Sequence, residues 1–361
     1  MQPNRIPEAI VAIALIFTFH PTKIAAAPCL STVPTSNLSP SFCDDGMGIY
    51  DVESRALLVE MVAHPTPEVK RLPIDEKMLY RKAYRRVLKA TDVQDAPGGG
   101  NVVAHMEAGF NFVNAGKETN GWIQIAPTQW IPKDVLGPVN NAVSKFSGVL
   151  FDNGLPDRPF GWILFDTKPS KTPGAKPAAD AVKVKRYTLV NFFATATVDG
   201  WDWYLIAPNQ WIQQTHIAYP KPVKRPDGVT GRWFAVDLYE QTLIAYDDDM
   251  AVFATLISSG LPKWPTKEGL FKIIDRYTQA KMSGASGLPD NYYLPQVPWI
   301  MYFNREEQAL HAAYWHDSFG LQRSHGCVNM SMTDANWAFN WTHDQPDAAV
   351  YVYRSRPKND S

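Results

Sequence analysis

Apolar residues recur along this chain in four successive patterns, each predicting a different kind of element. The first is an unbroken run, Ile10-Val11-Ala12-Ile13-Ala14-Leu15-Ile16-Phe17, behind Arg5 and ahead of Pro21 and Ala25-Ala26-Ala27. It is too short for a spanning helix, which needs about 20 residues. With its charged start and small-residue end it predicts a cleaved export signal over residues 1–27. Lipid modification of Cys29 is the lesser alternative, because Pro28 occupies the place of the small residue such a site wants. The second pattern, Val52, Ala56, Val59 and Val62, has helical spacing and predicts an amphipathic helix over residues 51–63, broken by Pro65 and Pro67. Residues 76–87 could be helix or strand.

The third pattern is a repeat of short aromatic strands. WIQIAPTQWI at 122–131 returns as WYLIAPNQWI at 203–212, with seven of ten positions identical. Each copy predicts strand, Pro turn, strand, and a further strand is expected around Phe160-Gly161-Trp162-Ile163-Leu164-Phe165. The expectation is two small β-barrel-like modules, at 96–180 and 181–227, behind a lead-in at 28–95. Trp130 and Trp211 are expected to fill the module cores, with glycan or peptide contact as the alternative use of such rings. Gly98-Gly99-Gly100 predicts a turn, since no lysine or helix follows it to make a phosphate cradle.

The fourth pattern begins after Pro226-Asp227-Gly228, where a boundary near residue 228 is expected. Strands are predicted at 233–239, 242–246, 252–258 and 270–274, and Asp247-Asp248-Asp249 is read as a hairpin tip rather than a cation site. Tyr292, Tyr293, Trp299, Tyr302 and Phe303 crowd one segment and could line a cleft. Ser331-Met332-Thr333-Asp334 starts a helix whose buried face is Ala335, Ala338, Phe339 and Trp341, with a closing strand at 349–353 and a tail at 355–361.

Composition narrows this picture. The 361 residues carry a formal net charge of −1 without long blocks of one sign, so nothing in the charge pattern suggests a nucleic-acid partner. The 29 prolines, 12 tryptophans and 15 tyrosines favour β-rich, turn-rich units. Three cysteines leave an odd one: if Cys29 pairs with Cys43 in an oxidising compartment, Cys327 stays free.

Cys327 is where the sequence predicts chemistry. It sits in Ser324-His325-Gly326-Cys327-Val328-Asn329, just before the predicted helix, where a thiol is exposed and backbone N–H groups lie beside it. An ordinary thiol is largely protonated at neutral pH, so a nucleophile needs a base. His325 and His311 are the candidates, and His311, supplied from a separate segment, has more freedom to approach the sulfur. Gly326 permits close approach, and the N–H groups of Gly326 and Cys327 could hold an oxyanion. The reaction so predicted is acyl transfer through a thioester.

The segment LHAAYWHDSFGLQRSHGCVNM, residues 310–330, resembles the signature of the L,D-transpeptidases of the YkuD fold. The likeness extends over residues 231–353 and includes GLPKWPTKEGLF at 260–271 and PWIMYF at 298–303. The modules ahead of it resemble the Src-homology-3-like repeats of bacterial cell-wall enzymes. The resemblance implies a mainly β chain: a YkuD-type β-rich catalytic domain over residues 228–354 with a short helix after the catalytic cysteine, preceded by repeat modules. It implies Cys327 as nucleophile, His311 as general base oriented by the carbonyl of Ala312, and His325 as support. Tyr302, Ser324, Gly326 and Asn329 are then substrate-binding. Two positions depart from the family pattern, Ala312 for a commoner glycine or serine and Lys267 for the usual proline.

The implied partners are peptidoglycan stem peptides and glycan in the envelope of a bacterium, with carbapenem β-lactams as inhibitors. Neither a metal nor an organic cofactor is implied. Cross-linking through the stem tetrapeptide with release of D-alanine is the expected activity, and an L,D-carboxypeptidase or a non-catalytic wall-binding protein is the alternative. A different class of reading makes His311, His316, His325 and Cys327 a zinc site, although their spacing fits no compact zinc pattern.

Overall fold

The computed structural model describes residues 52–177, 179–284 and 291–356. The export signal and the Cys29–Cys43 pair lie outside those residues. The described chain is mainly β with few helices, the last of them directly following the cysteine segment.

The region after residue 228 builds two sheets. In the first, Arg232–Asp237, Thr242–Asp247 and Met250–Leu256 form an antiparallel meander, and Ala349–Tyr353 lies parallel to Arg232–Asp237 with Gly269–Lys272 beyond it. The inner strands are buried almost throughout, as strands covered on both faces must be. The second sheet runs from Tyr292–Tyr302 through Ala309–Ala312 to Val328–Met330, with Asp275–Gly284 as hairpin partner of the first of these. Ser331 caps the helix Met332–Trp341 by accepting the Asp334 N–H at 3.1 Å. Trp337 of this helix stacks on Phe253 of the first sheet, with ring centroids 4.2 Å apart. The helix ends well before Pro346.

Neither sheet is complete within that region. Lys70–Arg71 and Val149–Leu150 extend the first sheet beyond Met250–Leu256. Tyr84–Arg86 and Phe110–Asn114 extend the second, and Phe110 and Asn111 pair in parallel with Tyr292 and Tyr293. One hydrophobic core accordingly joins Leu79, Tyr84 and Phe146 to Trp233, Tyr314 and Val352.

Both sequence repeats fold as hairpins of matching register. Trp122–Ala126 pairs with Gln129–Pro132, and Trp201–Ala207 with Gln210–Gln213; a register irregularity falls at the same place in each, and each leads into a 3-10 turn. The first hairpin belongs to a sheet with Thr91–Gln94 and Val102–Met106. The strand Phe160–Ile163 pairs with Leu189–Asn191 and Ile217–Ala218, next to the second hairpin. Trp130 and Trp211 do not fill the cores. Both are partly exposed, and the core positions belong to Ile131 and Ile212, at 0% and 1% exposure. Successive residues of a strand face opposite sides, so turning the isoleucine inward turns its tryptophan neighbour outward.

Other local expectations also shift. Residues 76–87 contain both types, a helix Glu76–Leu79 and a strand Tyr84–Arg86, because Asp75 caps only one turn. The helix Val52–Ala63 forms, but Val62 of its expected apolar face is exposed and Met61 is the buried side chain.

Candidate active site

Cys327 and His311 come from adjacent parallel strands. Ala309–Ala312 pairs with Val328–Met330 so that His311 stands opposite Asn329, and Cys327 immediately precedes the paired segment. Both side chains line one cleft of about 180 Å³ with Tyr292, Glu306, Glu307, Gln308, Trp315, Arg323, Ser324, His325 and Asn329. Cys327 is half-buried and free, and His311 is 2% exposed.

The His311 ring has one fixed partner. Its Nδ1 lies 3.0 Å from the carbonyl oxygen of Ala312, an acceptor, so Nδ1 carries the ring proton and Nε2 keeps a free lone pair. The backbone makes this contact, which is why alanine at 312 serves. Burial holds the imidazole neutral, bringing its pKa down to about 4 despite that hydrogen bond. Burial also pushes the Cys327 thiol up to about 11; the Ala309 N–H beside the sulfur opposes the shift and the Glu307 charge reinforces it. Sγ faces the Glu307 carbonyl at 3.8 Å. Both shifts favour a neutral thiol–imidazole pair in the free protein over a preformed ion pair.

The loop before the cysteine is held by its own hydrogen bonds. Ser324 Oγ donates to the Cys327 carbonyl at 2.5 Å and accepts the Gly326 N–H at 3.1 Å. The Ser324 hydroxyl is therefore spent on shaping the loop. So is the Gly326 N–H, which leaves the Cys327 N–H as the backbone candidate for an oxyanion. Gly326 has φ +119°, and a Cβ there would meet Gln308 Nε2 at 2.8 Å. Thr266 Oγ1 donates to the Gly326 carbonyl at 2.8 Å and accepts the Gly260 N–H at 2.9 Å, tying the 260–271 loop to the cysteine segment.

His325 lies between aromatic rings, 4.0 Å from Trp264 and 4.9 Å from Tyr292, centroid to centroid. It lines the same cleft as Cys327. Tyr302 lines a neighbouring hollow with Asp275, Tyr277 and Glu307, and is near enough for the Cys327 charge to help raise its pKa, behind the larger effect of burial. Of the aromatics clustered at 292–303, Tyr292 is the one that lines the cysteine cleft, together with Phe110 and Trp315. Gln308 is the residue that motif reading passed over: its Oε1 accepts the Lys267 N–H and the Asn304 amide, each at 3.0 Å, and its Nε2 donates to the Pro265 carbonyl at 3.0 Å. It secures the loop in which Lys267 stands. No sequence signal other than its place immediately before the strand Ala309–Ala312 marks it.

Among the described residues no cluster of three or more His, Cys, Asp or Glu is arranged to hold a metal ion. Both nitrogens of His316 contact protein groups, Ser318 and Asn329.

Residues 231–352 match the L,D-transpeptidase catalytic domain family, YkuD, and form a catalytic domain of that type occupying about a third of the chain. Similar solved structures include an L,D-transpeptidase from Stackebrandtia nassauensis, 25% identical over 37% of this chain and 60% of that one, with a TM-score of 0.30. Another, from Xylanimonas cellulosilytica, is 25% identical over 36% of this chain and 63% of its own, with a TM-score of 0.28. The catalytic domain of the E. faecium enzyme is 24% identical over 35% of this chain and 99% of its own, with a TM-score of 0.31. The chain thus spans 60% and 63% of the first two structures. No curated protein matches the chain.

Proposed function

We propose that the protein is an exported L,D-transpeptidase that joins peptidoglycan stem peptides through a thioester on Cys327. The observation that carries this is the shared cleft, in which a free thiol and a histidine with its Nε2 lone pair open stand on adjacent strands of the YkuD-type domain. His311 takes the thiol proton as Sγ attacks the carbonyl carbon between the third stem residue and D-alanine. The C–N bond then breaks, D-alanine leaves with the proton returned by the imidazole, and the acyl group stays on sulfur. An amine of a second stem attacks the thioester, loses its proton to His311 and restores the thiol. Water in place of the amine gives the carboxypeptidase outcome.

Neutral ground-state partners suit this sequence. The proton moves only when the electrophile is in place, so the resting thiol is spared oxidation and stray alkylation. The residues ahead of 228 are read as a lead-in and two small barrel-like modules of the Src-homology-3 kind, whose outward Trp130 and Trp211 would meet the cell wall.

Intact-mass spectrometry after incubation with a stem tetrapeptide or a carbapenem tests the reading. The expected result is one acyl adduct on the wild-type chain and none on Cys327→Ala. Folded wild-type protein that takes no adduct overturns it.

A further inference from the structure

His316 has no part in the chemistry above, yet its two ring nitrogens determine one group in the cleft. Nδ1 is 3.1 Å from the backbone nitrogen of Ser318, and Nε2 is 3.0 Å from the Asn329 side-chain amide. A backbone N–H can only donate, so Nδ1 is the unprotonated nitrogen. Burial, followed by the charges of Arg323, His311 and Arg186, keeps the ring neutral by bringing its pKa down to about 3. The single ring proton is therefore on Nε2 and needs an acceptor.

In one orientation the Asn329 amide turns Nδ2 toward that proton and leaves its Oδ1 buried without a hydrogen bond. A half-turn of the amide exchanges the two atoms in place, an assignment settled by hydrogen bonding. Oδ1 then accepts Nε2–H, and the position that had no hydrogen bond becomes an N–H2 donor. The opposite tautomer would set two donors face to face at Ser318. Asn329 is 2% exposed, lines the Cys327 cleft, and stands opposite His311 in the strand register.

We propose that His316 is a positioning residue, holding Asn329 with its Nδ2 as a hydrogen-bond donor to a carbonyl oxygen of the acyl-donor peptide. This rests on the acyl-transfer reading of the cleft. The loop carrying His316 is itself pinned from outside residues 231–352: Asp317 accepts from Ser144 Oγ at 2.5 Å and from the Tyr187 hydroxyl at 3.0 Å, and that hydroxyl accepts the Phe319 N–H at 3.2 Å. A ring so anchored keeps the amide in one orientation before substrate arrives.

Two measurements on the full chain test it. Long-range 1H–15N spectra of the free protein, assigned with His316→Gln, should show His316 as the Nε2–H tautomer at neutral pH; the Nδ1–H tautomer overturns the assignment. Asn329→Asp keeps an acceptor for Nε2–H but has no donor, and Asn329→Ala controls for the added charge. Both should slow acylation by a carbapenem about 100-fold, the scale of one lost donor at a developing charge, in protein that still unfolds cooperatively. His316→Ala should slow it about tenfold, and His316→Gln, whose amide N–H can donate to Oδ1, should recover most of that loss. Wild-type rates in folded Asn329→Ala and Asn329→Asp overturn the proposal. Wild-type protein that is not acylated at all sinks the acyl-transfer reading instead, because the tautomer is measured without substrate.

Discussion

Tyr84 and Tyr314 stack face to face with ring centroids 3.6 Å apart and planes 4° from parallel. Each hydroxyl also donates to the long strand Tyr292–Tyr302, Tyr84 to the Gln296 carbonyl at 3.3 Å and Tyr314 to the Pro295 carbonyl at 2.8 Å. A residue far ahead of the YkuD-type domain thus supports the turn that follows His311. Tyr84→Ala is expected to lower unfolding stability by about 3 kcal/mol, the scale for emptying a buried aromatic site. A fragment starting at residue 228 loses Phe110–Asn114, Lys70–Arg71 and Val149–Leu150 from its sheets as well. It should fail to give a cooperative melting transition, which circular dichroism will show.

The Cys327 thiol, raised to about 11, has a defined pH signature. Iodoacetamide alkylation of the free protein should accelerate about tenfold per pH unit from 7 to 10, since the thiolate fraction grows at that rate below the pKa. Acylation by a carbapenem should proceed at pH 7, because His311, at about 4, is unprotonated there and can take the proton during attack. An alkylation rate that levels off below pH 7 would show a preformed ion pair and contradict the neutral dyad.

Gly326→Ala combines a left-handed backbone with a 2.8 Å approach to Gln308 Nε2. Strain of about 1–3 kcal/mol is expected. The change should appear both in the denaturant midpoint and as acylation slowed about 10- to 100-fold. Gln308→Ala in the same chain removes the close contact but not the strained φ, so it should restore the rate in part and the stability not at all.

Asp334 is fully buried at the start of the helix Met332–Trp341, accepting from Gly148 N at 2.9 Å and Thr255 Oγ1 at 2.6 Å. Burial raises its pKa to about 6, against these hydrogen bonds. The folded state then holds a proton that the unfolded state, near pH 4, has released. Stability contributed by the protonated form is complete below pH 4 and is lost as pH rises to about 6, amounting to about 2–3 kcal/mol for this group. Unfolding of Asp334→Asn should lack that decline between pH 4 and 6. A wild-type slope of the opposite sign that Asp334→Asn also removes would overturn the assignment.

The site was far more legible than its surroundings. Cys327, His311, His325 and Gly326 are adjacent in sequence or separated by one short segment, and their residue types limit the chemistry they can do. Positions decided by contacts across the fold left no comparable trace. Gln308 works by bonding Asn304, Pro265 and Lys267, and no local pattern marks such a residue. His316 reads from spacing alone as a possible metal ligand, because spacing does not reveal that its nitrogens meet Ser318 and Asn329. The repeated hairpins were visible because identical residues repeat, yet the side each tryptophan faces depends on which neighbour the core takes. The strands Lys70–Arg71 and Val149–Leu150 are two residues each, below the length at which alternation can be read.

The parallel pairing of Phe110–Asn114 with Tyr292–Tyr302 bears on when the cleft comes into being. The two segments are made far apart in time, and the closure of so long a loop must precede the contacts that reward it. During synthesis the early strand is finished and waiting, with an open edge, until the last third of the chain emerges. Cys327 follows later still, so the nucleophile is among the last parts of the site to be put in place. Any delay at the C-terminal end leaves a partly assembled sheet whose bare edge is the point of attack for proteases and for other copies of the chain.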